Sequence, residues 1–327
     1  MTEGSNGISV VVLGLGHIGR AIARAALEKP ELHLAAVVDP AREGERLEDV
    51  LSSPAPPLVV AKDPGRAYAA APGGVALLAT ESSFVAVLPE LERAARAGLS
   101  VVSTCEELAY PWLKHEERAE ALDALCESKE VAVVGLGVNP GFALDRLPAF
   151  LSQVTGPVRH VRALRVQDLA QRRAALQRKV GAGLSEEAFH AAADKGELGH
   201  VGLAESAMLS ALGCGFELDE VEEELVPLIA EEDHDSLPVR AGQVAGLRQL
   251  ARGFIDGAER VRLELVIAAG AENPRDEVEL DARPYLKVRV EGGLPGDEAT
   301  AWSIVNAAPA VTMLRGLITV LDLPAGR

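Results

Sequence analysis

The sequence predicts an α/β protein in two parts. The first is a doubly wound parallel sheet, and behind it lies a second α+β domain with a mixed or antiparallel sheet. Three observations carry this expectation. A glycine turn sits between two apolar runs, the second of which ends in an acid. Short β-rich runs alternate with helical stretches as far as residue 151, the pattern of a parallel sheet covered on both faces. Three long extended stretches, 239–255, 260–268 and 278–290, then follow one another, which no such alternation produces.

In chain order, residues 8–13 read as a strand, Gly14-Leu15-Gly16-His17-Ile18-Gly19 as a tight turn, 20–29 as a helix and 32–38 as a second strand ending at Asp39. Gly14 allows the turn, Gly16 admits a pyrophosphate to the backbone, and Gly19 lets helix and strand pack closely. The helix N-terminus faces the phosphates. Asp39, twenty residues past Gly19, is placed to accept hydrogen bonds from an adenosine ribose. This strand–helix–strand frame makes the sheet Rossmann-type and the ligand a dinucleotide. Strands at 75–80, 99–103 and 131–136 and helices at 84–97, 112–129 and 142–151 complete the first domain, residues 1–151. The second domain, 152–296, opens with a strand at 160–169. Helices at 185–195 and 200–212, an acidic helix at 218–230 and the three extended stretches follow. Helical stretches from Asp297 or Thr300 to 308 and over 309–321 form a segment, 297–327, that returns to the nucleotide domain.

Composition bounds the function. The 327 residues are 48% hydrophobic, enough for two cores, and only 3% aromatic, which excludes base-stacking platforms for nucleic acid. The net charge of −17 opposes a polyanionic partner or an anionic membrane surface. Cys105, Cys126 and Cys214 are too scattered for a disulfide framework or a metal site. A reducing cytoplasm is the expected compartment. The polar start, Met1 to Gly7, lacks a secretory signal, and no apolar run has membrane-spanning length.

The strand ends carry the candidate chemistry. Thr80 and Ser82 either cap the next helix or hold a nicotinamide ring near the backbone. Ser103-Thr104-Cys105-Glu106-Glu107 sets two carboxylates at a strand end. Thr104 with Glu107, or Ser103 with Glu106, fits a capping box. One acid is left over, and Glu106 is favoured as the free one. Asn139, in Gly137-Val138-Asn139-Pro140-Gly141, either orients substrate or cofactor carboxamide, or caps its own turn. Gln167 closes a strand. Arg172, Arg173, Arg178 and Lys179 either grip an anion or form a solvated face. His200, between Gly199 and Gly202, is a pocket residue or a capping histidine. Asp39 favours NAD over NADP by repelling a 2′-phosphate, although Arg42 is placed to accept one if the loop bends.

Ser103 through Pro111 (Ser-Thr-Cys-Glu-Glu-Leu-Ala-Tyr-Pro) together with Gly137-Val138-Asn139-Pro140-Gly141-Phe142 resembles the 2,4-diaminopentanoate dehydrogenases and related amine dehydrogenases, which share the dihydrodipicolinate reductase-like fold. Gln177 to Leu184, Gly199 to Ser206, Gly242 to Gly246, Gly296 to Thr300 and Asp322-Leu323-Pro324 extend the resemblance along nearly the whole chain. The resemblance implies NAD(P)-dependent, reversible oxidative deamination of an amine or diamine to a carbonyl compound and ammonia, by a homodimer. It implies that Glu106 or Glu107 is the catalytic carboxylate. Gly14, Gly16, His17, Ile18, Gly19, Asp39, Arg42, Thr80, Ser82, Thr104 and Asn139 then face the cofactor. Asn139, Pro140, Phe142, Gln167 and His200 face the substrate. The paired histidines, lysine and Asp-Ala-Pro-Ser-Gly-Thr loop of true dihydrodipicolinate reductases are absent from 171–184. An imine reductase on the same scaffold and a non-catalytic dinucleotide-binding protein are the competing readings. The first predicts turnover without ammonia, the second tight binding without turnover.

Overall fold

The computed structural model describes residues 7–171, 174–234 and 237–326. Arg172 and Arg173 of the basic cluster, and the first six residues, lie outside these. In chain order the first elements are β1 (Ile8–Leu13), α1 (His17–Glu28), β2 (Leu32–Val38), α2 (Leu47–Leu51), α3 (Pro64–Ala69), β3 (Val75–Leu78), α4 (Phe84–Arg96), β4 (Ser100–Ser103), α5 (Trp112–Lys129) and β5 (Ala132–Gly135). Next come α6 (Arg146–Ser152), β6 (His160–Asp168), α7 (Ala174–Lys179), α8 (Glu186–Ala193), α9 (Leu203–Gly213), β7 (Glu220–Ile229), β8 (Val244–Ile255), β9 (Ala258–Ala268), β10 (Arg275–Asp281) and β11 (Leu286–Glu291). The chain ends with α10 (Gly296–Val311) and β12 (Gly316–Ile318).

Two compact units divide the chain. The first holds the residues up to Phe142 and those from Pro295 onward. Its six strands run parallel in the order β2-β1-β3-β4-β5-β12. Every residue of β3, β4 and β5 is buried, so both faces are covered, as continuous apolar runs such as Val-Ala-Leu-Leu require. The strand order turns back at β1, with β2 on one side and β3 on the other, and the crevice beyond that switch point is where such sheets bind ligands.

The second unit runs from Ala143 to Leu294 and carries a mixed sheet, β7-β8-β9-β6-β10-β11. All its pairings are antiparallel except β6 with β9. Helix α9 packs on β7, β8 and β9, and α6 on α9 and β10. One covered face explains the strict alternation of burial along β10. Arg165 and Asp276, both buried, form an ion pair in which Nη1 reaches both carboxylate oxygens at 2.8 Å. The same two side chains bond the backbone C=O and N–H of Leu294, at 2.6 and 2.7 Å, and so fix the chain where it leaves this unit.

Several sequence expectations change. The acidic helix expected over 218–230 is strand β7, paired along its length with β8. Its acids gave it a polar face, but Pro227 is poor in a helix interior and tolerable on a sheet edge. Residues 278–290 are a hairpin, β10 and β11, and the extended stretch expected from 239 begins as β8 at Val244. The helix expected over 309–321 does not form. Helix α10 ends at Val311, and β12 adds a sixth strand beside β5. The compact units divide at 142/143 and 294/295, and α6 packs on α9 within the second.

Candidate active site

The glycine turn is built against the end of β3. A Cβ on Gly14, whose φ is +83°, would lie 2.4 Å from the Ala79 carbonyl oxygen and 3.1 Å from Thr80 Cγ2. This contact sets Thr80 beside the turn. A Cβ on Gly19 would overlap the Gly14 carbonyl oxygen at 1.7 Å, so only glycine lets α1 start this close to its own turn. Gly16 differs, because a Cβ there would meet nothing within 4 Å. That open, exposed backbone at the N-terminus of α1 is the cradle a pyrophosphate needs, and no acid occupies the first turn of the helix. His17 is exposed, with Nε2 3.0 Å from Asp297. Ile18 is half-buried behind it.

Asp39 accepts hydrogen bonds from Leu15 N at 2.8 Å and from Ala41 N at 2.9 Å, one on each oxygen. The carboxylate is thereby fixed at the end of β2 and keeps lone pairs for ribose hydroxyls. Arg42 lies in the same loop with its guanidinium on Glu45 at 3.1 Å.

The two adjacent acids are separated by their partners. Glu107 Oε2 accepts from Phe84 N at 2.7 Å and caps α4, while its own N–H donates to Ser82 O at 3.3 Å. His115 Nε2 lies 3.9 Å from the same oxygen. Neither expected capping box forms. Glu107 reaches across to a different helix, and Ser103 Oγ accepts instead from Cys105 N at 3.1 Å. Ser83 stands at the N-cap of α4 without a side-chain bond, because Glu107 supplies it. The Cys105 thiol donates to Ser82 O at 3.1 Å, and burial pushes it up to about 12, so it stays protonated. Among the described residues the half-buried Glu106 carboxylate has no hydrogen bond or ion pair. Thr104, also half-buried, follows β4 directly, its N–H donating to Leu78 O at 2.9 Å.

The turn bearing Glu106 lies directly over β5. A Cβ on Gly135 would sit 2.5 Å from the Leu108 carbonyl carbon and 2.7 Å from Ala109 N. The next loop, 137–141, therefore emerges beside it. Asn139, followed by a cis peptide to the buried Pro140, is 8% exposed, yet neither its Nδ2 nor its Oδ1 has a partner. Buried amides without partners are rare in folded proteins, and a ligand is one explanation such a group calls for. Phe142 is 39% exposed at the end of this unit. Gln167 and His200 belong to the second unit. Gln249 holds the backbone of His200 at both N–H (2.7 Å) and C=O (2.9 Å), and His200 Nδ1 donates to Val201 O at 2.6 Å. The structure thus brings the glycine turn, Asp39, Thr80, Ser82, Glu106, Glu107 and Asn139 to the carboxyl ends of one sheet. One residue escaped the sequence as part of this region. Thr300, read there only as a helix opener, accepts from Val138 N at 3.2 Å.

A parallel sheet with an open glycine turn after β1, an acid at the end of β2 and an unbonded carboxylate after β4 is the arrangement of a dinucleotide-binding α/β protein. Residues 142–327 match the family model for the 2,4-diaminopentanoate dehydrogenase C-terminal domain, more than half of the chain, and the chain belongs to that family. It is 28% identical over 334 residues to the 2,4-diaminopentanoate dehydrogenase of Acetoanaerobium sticklandii, covering 98% of this chain and 94% of that one. The fold is shared with an amine dehydrogenase from Mycobacterium smegmatis (TM-score 0.85, 21% identity, 99% of this chain and 98% of that one). A dipicolinate-bound dihydrodipicolinate reductase from Paenisporosarcina sp. TG-14 is more distant (TM-score 0.56, 13% identity, 97% of this chain and 100% of that one). The protein is an NAD(P)-dependent oxidoreductase acting on CH–NH2 groups.

Proposed function

We propose that Glu106 is the proton carrier of a reversible amine dehydrogenase that prefers NAD. One observation carries the reading. Of two neighbouring carboxylates at the end of β4, Glu107 is engaged by Phe84 N and Glu106 is not. An ammonium has no lone pair to stabilise a positive carbon, so the nitrogen must be neutral before the C–H bond breaks. Glu106 takes that proton. When bound, the nicotinamide supplies the hydride acceptor. After passing that proton to solvent, the carboxylate takes one from the water that adds to the iminium carbon and returns it to nitrogen, so that the C–N bond breaks, ammonia leaves and the hydroxyl oxygen becomes the carbonyl as its proton goes to solvent. In reverse, Glu106 holds ammonia against the carbonyl. Proton transfer by a positioned carboxylate contributes about 10²–10⁴-fold.

Asn139 offers one donor and one acceptor at a buried position, which is complementary to a primary carboxamide such as that of nicotinamide. Thr80, Ser82 and Thr104 are assigned to the cofactor, and Pro140 and Phe142 to the substrate; for Gln167 and His200, in the second unit, a substrate role rests on the family resemblance alone. NAD preference rests on Asp39, whose charge faces the ribose position, and on Arg42, which Glu45 engages. The substrate is an amine or diamine, in keeping with the relatives' names. A cytoplasmic homodimer, as the family resemblance implies, is the form proposed to work.

Glu106→Gln tests the central assignment. Ammonium-dependent NADH oxidation with a ketone or aldehyde should fall about 10²–10⁴-fold. NADH binding by fluorescence should persist and remain tighter than NADPH binding. Full turnover by Glu106→Gln would exclude the role, and turnover without ammonium would favour an imine reductase.

A further inference from the structure

The loop bearing Asn139 closes on itself. Gly141, at φ +122°, brings its α-carbon so near that a Cβ would lie 2.4 Å from Gly137 N. A Cβ on Gly137 would meet Thr300 Oγ1 and Cγ2, each at 3.4 Å, so α10 packs directly on this turn. Thr300 Oγ1 also accepts the Val138 N–H, one residue before Asn139, at 3.2 Å. Three residues earlier on the same helix, and so on the same face, Asp297 meets His17 of the glycine turn at 3.0 Å. The opening turns of α10 thus touch both loops that face the cofactor. Asn139 itself is buried with neither amide atom bonded, so nothing on its own side chain holds it in place before a ligand arrives.

We infer that Thr300 is a positioning residue for the nicotinamide end of the cofactor, acting through the Val138 N–H to hold the Asn139 amide where a carboxamide can pair with it. The inference rests on the assignment of Asn139 above. The hydroxyl has the position for this role and the methyl fills the space beside Gly137. Valine keeps that shape without the acceptor, while serine keeps the acceptor without the methyl. One lost hydrogen bond of this kind corresponds to about a 3- to 10-fold change in affinity.

Titration of NADH and of ADP-ribose, which lacks the nicotinamide, separates the ends of the site. Thr300→Val should weaken NADH about 3- to 10-fold and leave ADP-ribose unchanged, and Thr300→Ser should restore NADH binding. Asn139→Ala should show the same selective loss. Thermal unfolding identifies a misfolded variant, and Thr300→Ala replaces Thr300→Val in that event. If Asn139→Ala weakens NADH and Thr300→Val does not, Thr300 has no positioning role. Equal loss of NADH and ADP-ribose in Thr300→Val and Thr300→Ser alike makes Thr300 a packing residue and overturns the inference. Unchanged NADH binding by Asn139→Ala removes the assignment of Asn139, and the role of Thr300 falls with it.

Discussion

Glu106 and Glu107 share a backbone turn and differ in everything that matters for chemistry. Glu107 accepts the Phe84 N–H at the N-terminus of α4, where an anion is favoured and an orphan N–H needs a partner. Glu107→Ala should therefore behave as a lost cap, destabilising the protein by about 1–2 kcal/mol in urea unfolding. Turnover in the folded fraction should largely survive. If Glu107→Ala leaves stability unchanged while abolishing turnover, the two roles have been exchanged. The sequence showed two acids and favoured Glu106 as the free one. It did so through capping boxes that do not form. The partner of Glu107 is 23 residues away in sequence, and no local spacing rule reports a contact of that kind. Asn139 was legible as a polar side chain in a fixed turn. Its unpartnered burial was not, because burial and bonding of a side chain are properties of the folded loop that no local residue pattern reports.

The β1–α1 turn divides its glycines between those that packing requires and one that it does not. Gly19 and Gly14 are glycine because their Cβ atoms would strike backbone. Gly16 is glycine although its surroundings are empty, and the structure alone gives it no reason. Gly19→Ala should cost about 1–3 kcal/mol or more through the forced overlap. Gly16→Ala should fold with stability close to the parent, within about 0.5 kcal/mol, and lose NADH affinity. Calorimetry paired with NADH titration checks both, and unimpaired cofactor binding by Gly16→Ala would place the pyrophosphate elsewhere. This turn was readable because its frame is local: strand, helix, strand and acid lie within 8–39. Strand β7 was misread because its alternation is masked by four acids in its first five residues. Strand β12 was missed because three residues carry no periodicity, and its pairing with β5 is made across most of the chain.

At the scale of the molecule, the parallel sheet of the first unit is completed by the chain's last residues. Helix α10 packs on α1 and on β3, β4 and β5, and β12 pairs with β5. The sequence carried only the expectation that the C-terminal segment returns to the nucleotide domain. Its contribution of a strand and of Thr300 was not legible there. The chain carries a net charge of −17, yet the first turn of α1 holds no acid of its own. The proposed mechanism needs the unbonded carboxylate after β4 and the unbonded amide after β5 to face the nicotinamide together. A crystal structure of the full chain with NAD bound tests it most directly. The account predicts the Glu106 carboxylate turned toward the nicotinamide ring, the Asn139 amide bonded to the carboxamide, and Glu107 still on Phe84 N. A structure with Glu106 turned to bulk solvent and Glu107 facing the ring would contradict it.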